Sequence, residues 1–419
     1  MLTHFKQAKE DVMTDFQHRK GQRTIRIVDV TGKPIPQQKI EIRQKKHQFL
    51  FGCGAFVIAD GIFNVDAFKK DFFDQRTKLW LDLFNYGTVP FYWGNFEPEE
   101  GKPYTDRLKI LAEYLKSKDV TMKGHPLCWH TVCADWLMKY DNPTILEKEL
   151  GRIQREVSDF KGLIDMWDVI NEVVIMPRFD KYDNAITRIC NEYGQVGLVK
   201  KVFDEARKYN PKATLLINDF NTSPAYEHLI ADCLDAGVEF SAIGIQSHQH
   251  QGYWGKEKTL DVLERFSKFG LPLHFSENTL VSGTLIPPEI EDLNDFQVEE
   301  WPSTSEGEAR QCRELEEMFT TLFSHPLVEA ITEWDFADGA WLNAPSGLIR
   351  KDNSVKPSYN MLKEKIKHEW FTTSAEFVTQ ADGVAVVEGF KGTYDVIVSG
   401  KTYEMTIDKN NDEFLIRLS

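Results

Sequence analysis

The chain has 419 residues, 42% of them hydrophobic, which is ample for one large domain and a small companion. Its formal charge of −15 disfavours nucleic acid as a partner, because phosphate binding needs an excess of Lys and Arg. No apolar run reaches the 18 or more residues of a membrane-spanning helix, so no membrane association is expected.

Residues 1–46 are read as an N-terminal helix followed by β-strands. The opening "MLTHFKQAKEDVMTDFQHRKG" is polar and mixed in charge, unlike a signal peptide. The stretch "TIRIVDVTGKPIPQQKIEIRQ" alternates as strands do, around a "TGKP" turn.

From residue 47 to 367, short apolar runs alternate with amphipathic segments. The runs are "FLFGCGAF", "YGTVPFYW", "VTMKGHPLCWH", "LIDMWDVINE", "ATLLINDF", "FSAIGIQSHQ", "LPLHFSENTL" and "EAITEWDF". Helix-like stretches such as "LEKELGRIQREVSDF" and "LDVLERFSKFG" separate them; in the second, Leu260, Val262, Leu263 and Phe266 recur at helical spacing. Eight strand–helix repeats predict a (β/α)8 TIM barrel. An open doubly wound sheet would carry a Gly-rich phosphate loop after its first strand, and "FGCGAFVIADG" lacks that spacing.

Residues 368–419 return to strands, punctuated by Asp382-Gly383, Ser399-Gly400 and "KNND". Both ends are expected to join in a small accessory β-sandwich-like domain against the barrel, with separate β-extensions as the alternative. Phe390, Tyr394 and Tyr403 alternate like core residues, which favours a structural brace over a sugar-binding module. The six cysteines (Cys53, Cys128, Cys133, Cys190, Cys233 and Cys312) are scattered without a CxxC pair, so neither a zinc site nor any other metal is expected. Buried thiols of this kind suit a reducing compartment, the cytoplasm.

Polar and aromatic residues gather at the C-terminal ends of the apolar runs: Trp93, His125, Trp129, His130, Asn171, Glu172, Asn218, Asp219, Gln246, His248, Glu277 and Trp334. A (β/α)8 barrel builds its active site there. In "WDVINEVV" the apolar run breaks at Asn171 and Glu172, and a carboxylate is costly in such a place unless paired. Glu172 ends the fourth run and Glu277 the seventh, which sets them across the mouth of an eight-stranded barrel. Such a pair is the apparatus of glycoside hydrolysis, one carboxyl as acid and base, the other as nucleophile or base. His125, His130 and His248 show no HxxxH pairing for a metal. Tryptophan faces stack on sugar rings. Ordinary readings stand beside these: Asn218-Asp219 as a turn or capping pair, Glu333 as structural, Trp129 and Trp334 as core, and the whole as a carbohydrate-binding protein without turnover.

The motifs "GHPLCWH", "WDVINEVV", "LLINDFN", "IGIQSHQ", "HFSENTL" and "KPSY" resemble, in order and spacing, those of glycoside hydrolase family 10, whose best-known members are endo-1,4-β-xylanases. The resemblance implies a retaining double displacement at β-1,4-xylosidic bonds of xylan or xylo-oligosaccharides, with no cofactor. It casts Glu172 as general acid/base and Glu277 as nucleophile, roughly 5–5.5 Å apart. Asn171 would bond the sugar 2-hydroxyl, and His248, with Gln246 beside it, would keep Glu277 ionised. His125 and Trp129 would line the glycone subsite, and Trp334 and Trp341 its aromatic lid. Glu172 then needs a raised pKa and Glu277 a low one.

The chain also departs from that pattern. Val89 and Tyr92 stand where the family carries an Asn and a Lys on the second strand, and Trp334 and Trp341 stand one residue closer than usual. The long acidic segment "SGTLIPPEIEDLNDFQVEEWPST" is expected to wall the cleft and carry Trp301. These departures leave open the sugar, endo or exo action and oligomeric state, and keep another β-glycosidase specificity as the alternative.

Overall fold

Apolar alternation becomes strand, and amphipathic spacing becomes helix, in the order the sequence predicts. The structure is a computed structural model and describes residues 16–63 and 69–418. The helix expected before residue 16 lies outside the described residues.

Two strands precede the barrel, β1 (Lys20–Val28) and β2 (Lys39–His47). The barrel strands are β3 (Leu50–Gly54), β4 (Tyr86–Pro90), β5 (Thr121–His125), β6 (Met166–Asn171), β7 (Thr214–Asp219), β8 (Ala242–Gln249), β9 (Leu273–Leu280) and β10 (Val328–Glu333). Five more follow: β11 (Ala375–Val378), β12 (Val384–Phe390), β13 (Gly392–Val398), β14 (Lys401–Ile407) and β15 (Glu413–Arg417).

Strands β3 to β10 close into a parallel barrel in chain order, β10 pairing with both β3 and β9. Each coincides with one of the eight apolar runs. The runs are nearly continuous because such strands are covered on both faces. The helix Asn142–Asp159 shows why the outer layer forms: Asp141 caps the Thr144 amide at 3.1 Å, Pro143 sits in the first turn, and Ile145, Ile153 and Val157 face inward. Losing such a cap costs about 1 kcal/mol. Gly124, next to His125, is required by close packing, since a Cβ there would run into the Trp167 ring. Among the described residues no helix is long and apolar enough to cross a membrane.

The chain divides into two compact units, one drawn from 51–319 and 327–358, the other from 1–50, 320–326 and 359–419. The second holds two sheets, ordered β12-β1-β15 and β11-β2-β13-β14. Each N-terminal strand lies between two C-terminal ones: β1 between β12 (antiparallel) and β15 (parallel), β2 between β11 and β13 (both antiparallel). Ile25, Ile27, Ile42, Val387, Tyr394 and Val396 share one buried core, and Tyr403 packs against it. Ser399 and Gly400, with φ of 50° and 76°, make the two-residue turn from β13 to β14, whose twist matches the hairpin.

Candidate active site

The turn after β6 sets the site. Glu172 has φ of 58°, in the left-handed region that costs a residue with a side chain about 1–2 kcal/mol. Its amide is held by the Asn218 carbonyl at 2.8 Å. In a regular strand residues 171 and 172 would point to opposite faces. The left-handed turn breaks that alternation, and the Gln246 amide Nε2 donates to both Asn171 Oδ1 at 3.0 Å and Glu172 Oε1 at 3.2 Å. From β5's extension, Trp129 Nε1 donates to Glu172 Oε2 at 2.9 Å.

Glu277 sits on β9 and is buried. Its Oε1 accepts from Asn218 Nδ2 at 2.7 Å, and its Oε2 lies 3.2 Å from His248 Nε2. Asn218 Nδ2 also donates to Asn171 Oδ1 at 2.8 Å. A continuous relay therefore runs Glu172, Gln246, Asn171, Asn218, Glu277. Asn171 Nδ2 is buried and finds no acceptor among the described residues. A register shift between Ile245 and Gln246 in the β8–β9 pair re-aims Gln246, as bulges at barrel rims do.

Under the floor of the mouth, the wholly buried Lys123 meets Asp168: Nζ to Oδ2 is 2.7 Å. The same oxygen lies 2.7 Å from His125 Nδ1, whose ring approaches Glu277 Oε1 at 3.9 Å. Around the mouth, Trp334 meets His125 at 5.2 Å and Trp341 meets His248 at 4.5 Å between ring centroids. Tyr92 stands 5.7 Å from both His125 and Trp129.

The two carboxyls are tuned apart. Crowding by protein desolvates Glu172 and, with the negative charge of Glu277, pushes its pKa up to about 8. Burial pulls Glu277 upward too, but His125, the hydrogen bond and charge of His248, and Lys123 outweigh it and leave that carboxyl below its ordinary value. At neutral pH one glutamate is an acid and the other an anion. No three His, Cys, Asp or Glu side chains among the described residues gather as a metal site.

The profile of Glycosyl hydrolase family 10 matches residues 90–365. The chain belongs to that family. A relative named anti-sigma-I factor RsgI6, from Acetivibrio thermocellus, is 26% identical over 404 residues, covering 94% of this chain and 47% of its own length. An endo-1,4-beta-xylanase/feruloyl esterase from Xylanibacter ruminicola is 23% identical over 309 residues, covering 67% of this chain and 42% of that protein. The chain thus spans less than half the length of these curated relatives. The solved structure of a family 10 protein from Paenibacillus barcinonensis shares the fold, with a TM-score of 0.62 and 21% identity over 77% of this chain and 96% of that one.

Within this family 10 barrel, His125, Trp129, Asn171, Glu172, Gln246, His248, Glu277, Trp334 and Trp341 all come together at one mouth, joined by the bonds and ring contacts above. Trp93 and His130 do not. Trp93 turns away, donating to Glu97 Oε2 at 3.0 Å and packing on Trp136 and the Arg152 guanidinium. His130 packs on Phe179 at 4.4 Å, and burial lowers its pKa to about 4. Trp301 is buried with Val281, Ile286 and Ala344, its ring 5.8 Å from that of His250, which in turn lies 5.1 Å from Trp341. Val89 is buried and Tyr92 half-buried. Glu333 is buried, and burial followed by the charge of Asp335 raises its pKa well above the usual carboxylate range.

Asn218, one of the strand-end polar residues and also open to the ordinary reading of a turn or capping pair, joins the site, where the sequence assigned it no role. It faces Asn171 in the parallel register of β6 and β7. Gly244 makes room for it, since a Cβ there would collide with the Asn218 side chain. The signal was an Asn at the inward end of a barrel strand opposite another Asn. Asp219 does make a turn, accepting from the Val174 and Asn221 amides at 3.0 and 2.9 Å.

Proposed function

We propose that the chain is a retaining glycoside hydrolase acting on β-1,4-linked xylan or xylo-oligosaccharides, with Glu172 as acid/base and Glu277 as nucleophile. The observation that carries this reading is the opposite proton affinity of two glutamates joined by one relay of amides.

The chemistry follows from that asymmetry. Glu277 attacks the anomeric carbon as the bond to the leaving oxygen breaks, and the Glu172 proton passes to that oxygen. A glycosyl ester on Glu277 results. With Glu277 esterified, the negative charge that helped hold the proton on Glu172 is gone, so Glu172 becomes the weaker acceptor-holder and is free as a carboxylate base. It takes a proton from water, whose oxygen displaces Glu277, and the anomeric configuration is retained. The unpartnered Nδ2 of buried Asn171 supports donation to a sugar hydroxyl beside Glu277. Trp129, Trp334, Trp341 and Tyr92 supply faces for sugar rings. The relative named as an endo-1,4-beta-xylanase supports the choice of xylose.

Purified protein incubated with glucuronoxylan, xylo-oligosaccharides and aryl β-glycosides tests this, with products resolved by chromatography and their anomers by NMR. Short xylo-oligomers with the β-configuration are expected. Hydrolysis of another glycoside alone would shift the specificity and point to Val89 and Tyr92 as its cause. A second reading, a carbohydrate-binding part of a longer regulatory protein, is favoured by the anti-sigma-I factor relative that matches 94% of the chain. Sugar binding without any product would select it.

A further inference from the structure

The strained turn that carries Glu172 is gripped from both sides by residues outside the relay. On one side Asp219, wholly buried at the end of β7, accepts from the Val174 amide at 3.0 Å and the Asn221 amide at 2.9 Å. The Val173 and Phe220 amides also point at its carboxylate. On the other side Gln195 Nε2 donates to the Val173 carbonyl at 2.7 Å, and the Val174 carbonyl is 3.5 Å away. Amides converge on the one carboxylate and carbonyls on the one amide.

From this clamp we infer that Asp219 is a positioning residue for acid/base catalysis: it locks the left-handed turn so that the Glu172 carboxyl stays on the Trp129 and Gln246 bonds and aims its proton into the cleft. The inference rests on the assignment of Glu172 proposed above. A carboxylate suits the place because it offers only acceptors, whereas an amide would turn an N–H toward one of the converging N–H groups. The charge acts in the same direction as the geometry. Glu172 is faced by Glu277 from β9, Asp219 from β7, the phenols of Tyr92 and Tyr182 from flanking loops, and the neutral donors Trp129 and Gln246. Burial pushes the Asp219 pKa up to about 7 against the pull of its amides, so it is ionised across the alkaline limb near pH 8, and its charge there helps keep the Glu172 proton in place.

The test is Asp219→Asn, assayed on two substrates: a xylo-oligosaccharide, whose leaving group needs a proton, and a dinitrophenyl β-xylobioside, whose leaving group does not. Misplacing the acid should lower kcat/KM on the oligosaccharide by about tenfold or more, while the first-turnover release of dinitrophenol changes by less than about threefold. Azide should then accelerate steady-state turnover of the aryl substrate, because the glycosyl ester lacks an aligned base. The alkaline limb of the pH profile should move to lower pH, a negative neighbour of Glu172 having been removed. Equal loss on both substrates, or no loss on either, would overturn the inference. Should Asp219→Asn fail to fold, Gln195→Leu loosens the same turn from its carbonyl side; the same split on the two substrates is expected, and its absence is equally decisive. A wild-type chain that cleaves neither substrate would overturn the assignment of Glu172 itself, and this inference with it.

Discussion

Asn218 Nδ2 lies 2.7 Å from Glu277 Oε1 and 2.8 Å from Asn171 Oδ1, so a single amide group touches both the buried carboxylate and the residue beside its partner acid. A donor placed this way favours the charged form of Glu277 and fixes its rotamer. Asn218→Ala should therefore lower kcat/KM on xylo-oligosaccharides by about 100-fold, within the range seen for losing one preorganised donor. The acid limb of the pH profile should also rise. Unchanged kinetics in a folded Asn218→Ala protein would remove the relay from the mechanism.

The separation of the two proton affinities predicts a broad pH profile. Activity should fall on the alkaline side near pH 8, as Glu172 loses its proton, and on the acid side only below the ordinary carboxylate range, where Glu277 gains one. With Glu172→Ala and a dinitrophenyl glycoside, the alkaline limb of the first step should vanish. An alkaline limb that survives that substitution belongs to another group.

Stability should carry the opposite mark of the same group. Because the folded-state pKa of Glu172 is raised from 4.5 to about 8, its contribution is fully present below pH 4.5 and is lost as pH rises through about 8. Glu172→Gln never ionises, so it should gain on the wild type between those values, by on the order of 1–3 kcal/mol given partial solvent access. Urea unfolding at pH 5 and pH 9 measures this. A gain that is larger at pH 5 would contradict it.

Lys123→Met should be among the most damaging single changes in the barrel. It leaves Asp168 buried without its cation, at a cost of about 3–5 kcal/mol. Adding Asp168→Leu should recover much of the stability, since an apolar pair replaces an ionic one, yet leave activity low because His125 has lost the carboxylate on its Nδ1. Denaturant midpoints alongside xylo-oligosaccharide kinetics separate the two effects.

The barrel was legible because each strand is covered on both faces and so leaves an unbroken apolar run with a polar end. Those polar ends located the mouth: eight side chains read from them meet there, together with Trp341, which only the family resemblance implied, and Asn218. Position along the strand does not state which way a rim residue turns. Trp93 and His130 occupy rim positions as prominent as Trp129, yet Glu97 and Phe179 draw them elsewhere. Asn218 looked like a turn residue because Asp219 beside it is one. The Lys123–Asp168 pair was hidden inside two apolar runs, and only the register of neighbouring strands reveals that the two charges meet. The positive φ of Glu172 has no signature in "WDVINEVV", since no glycine marks it; the clamp of Asp219 and Gln195 enforces it through residues distant in the chain.

The interleaving of β1 and β2 with strands from the other end of the chain has a consequence for synthesis. β1 and β2 are translated before the barrel, but their neighbours β11, β12, β13 and β15 only after every barrel strand. The eight barrel strands can close while both N-terminal strands wait with bare edges, which are templates for pairing with other chains. A nascent chain interrupted before residue 375 would therefore hold a complete set of barrel strands together with two sticky ones. For this protein the hazardous interval of biogenesis runs from the emergence of β2 until β11 to β15 have been made, the whole span over which the barrel is translated.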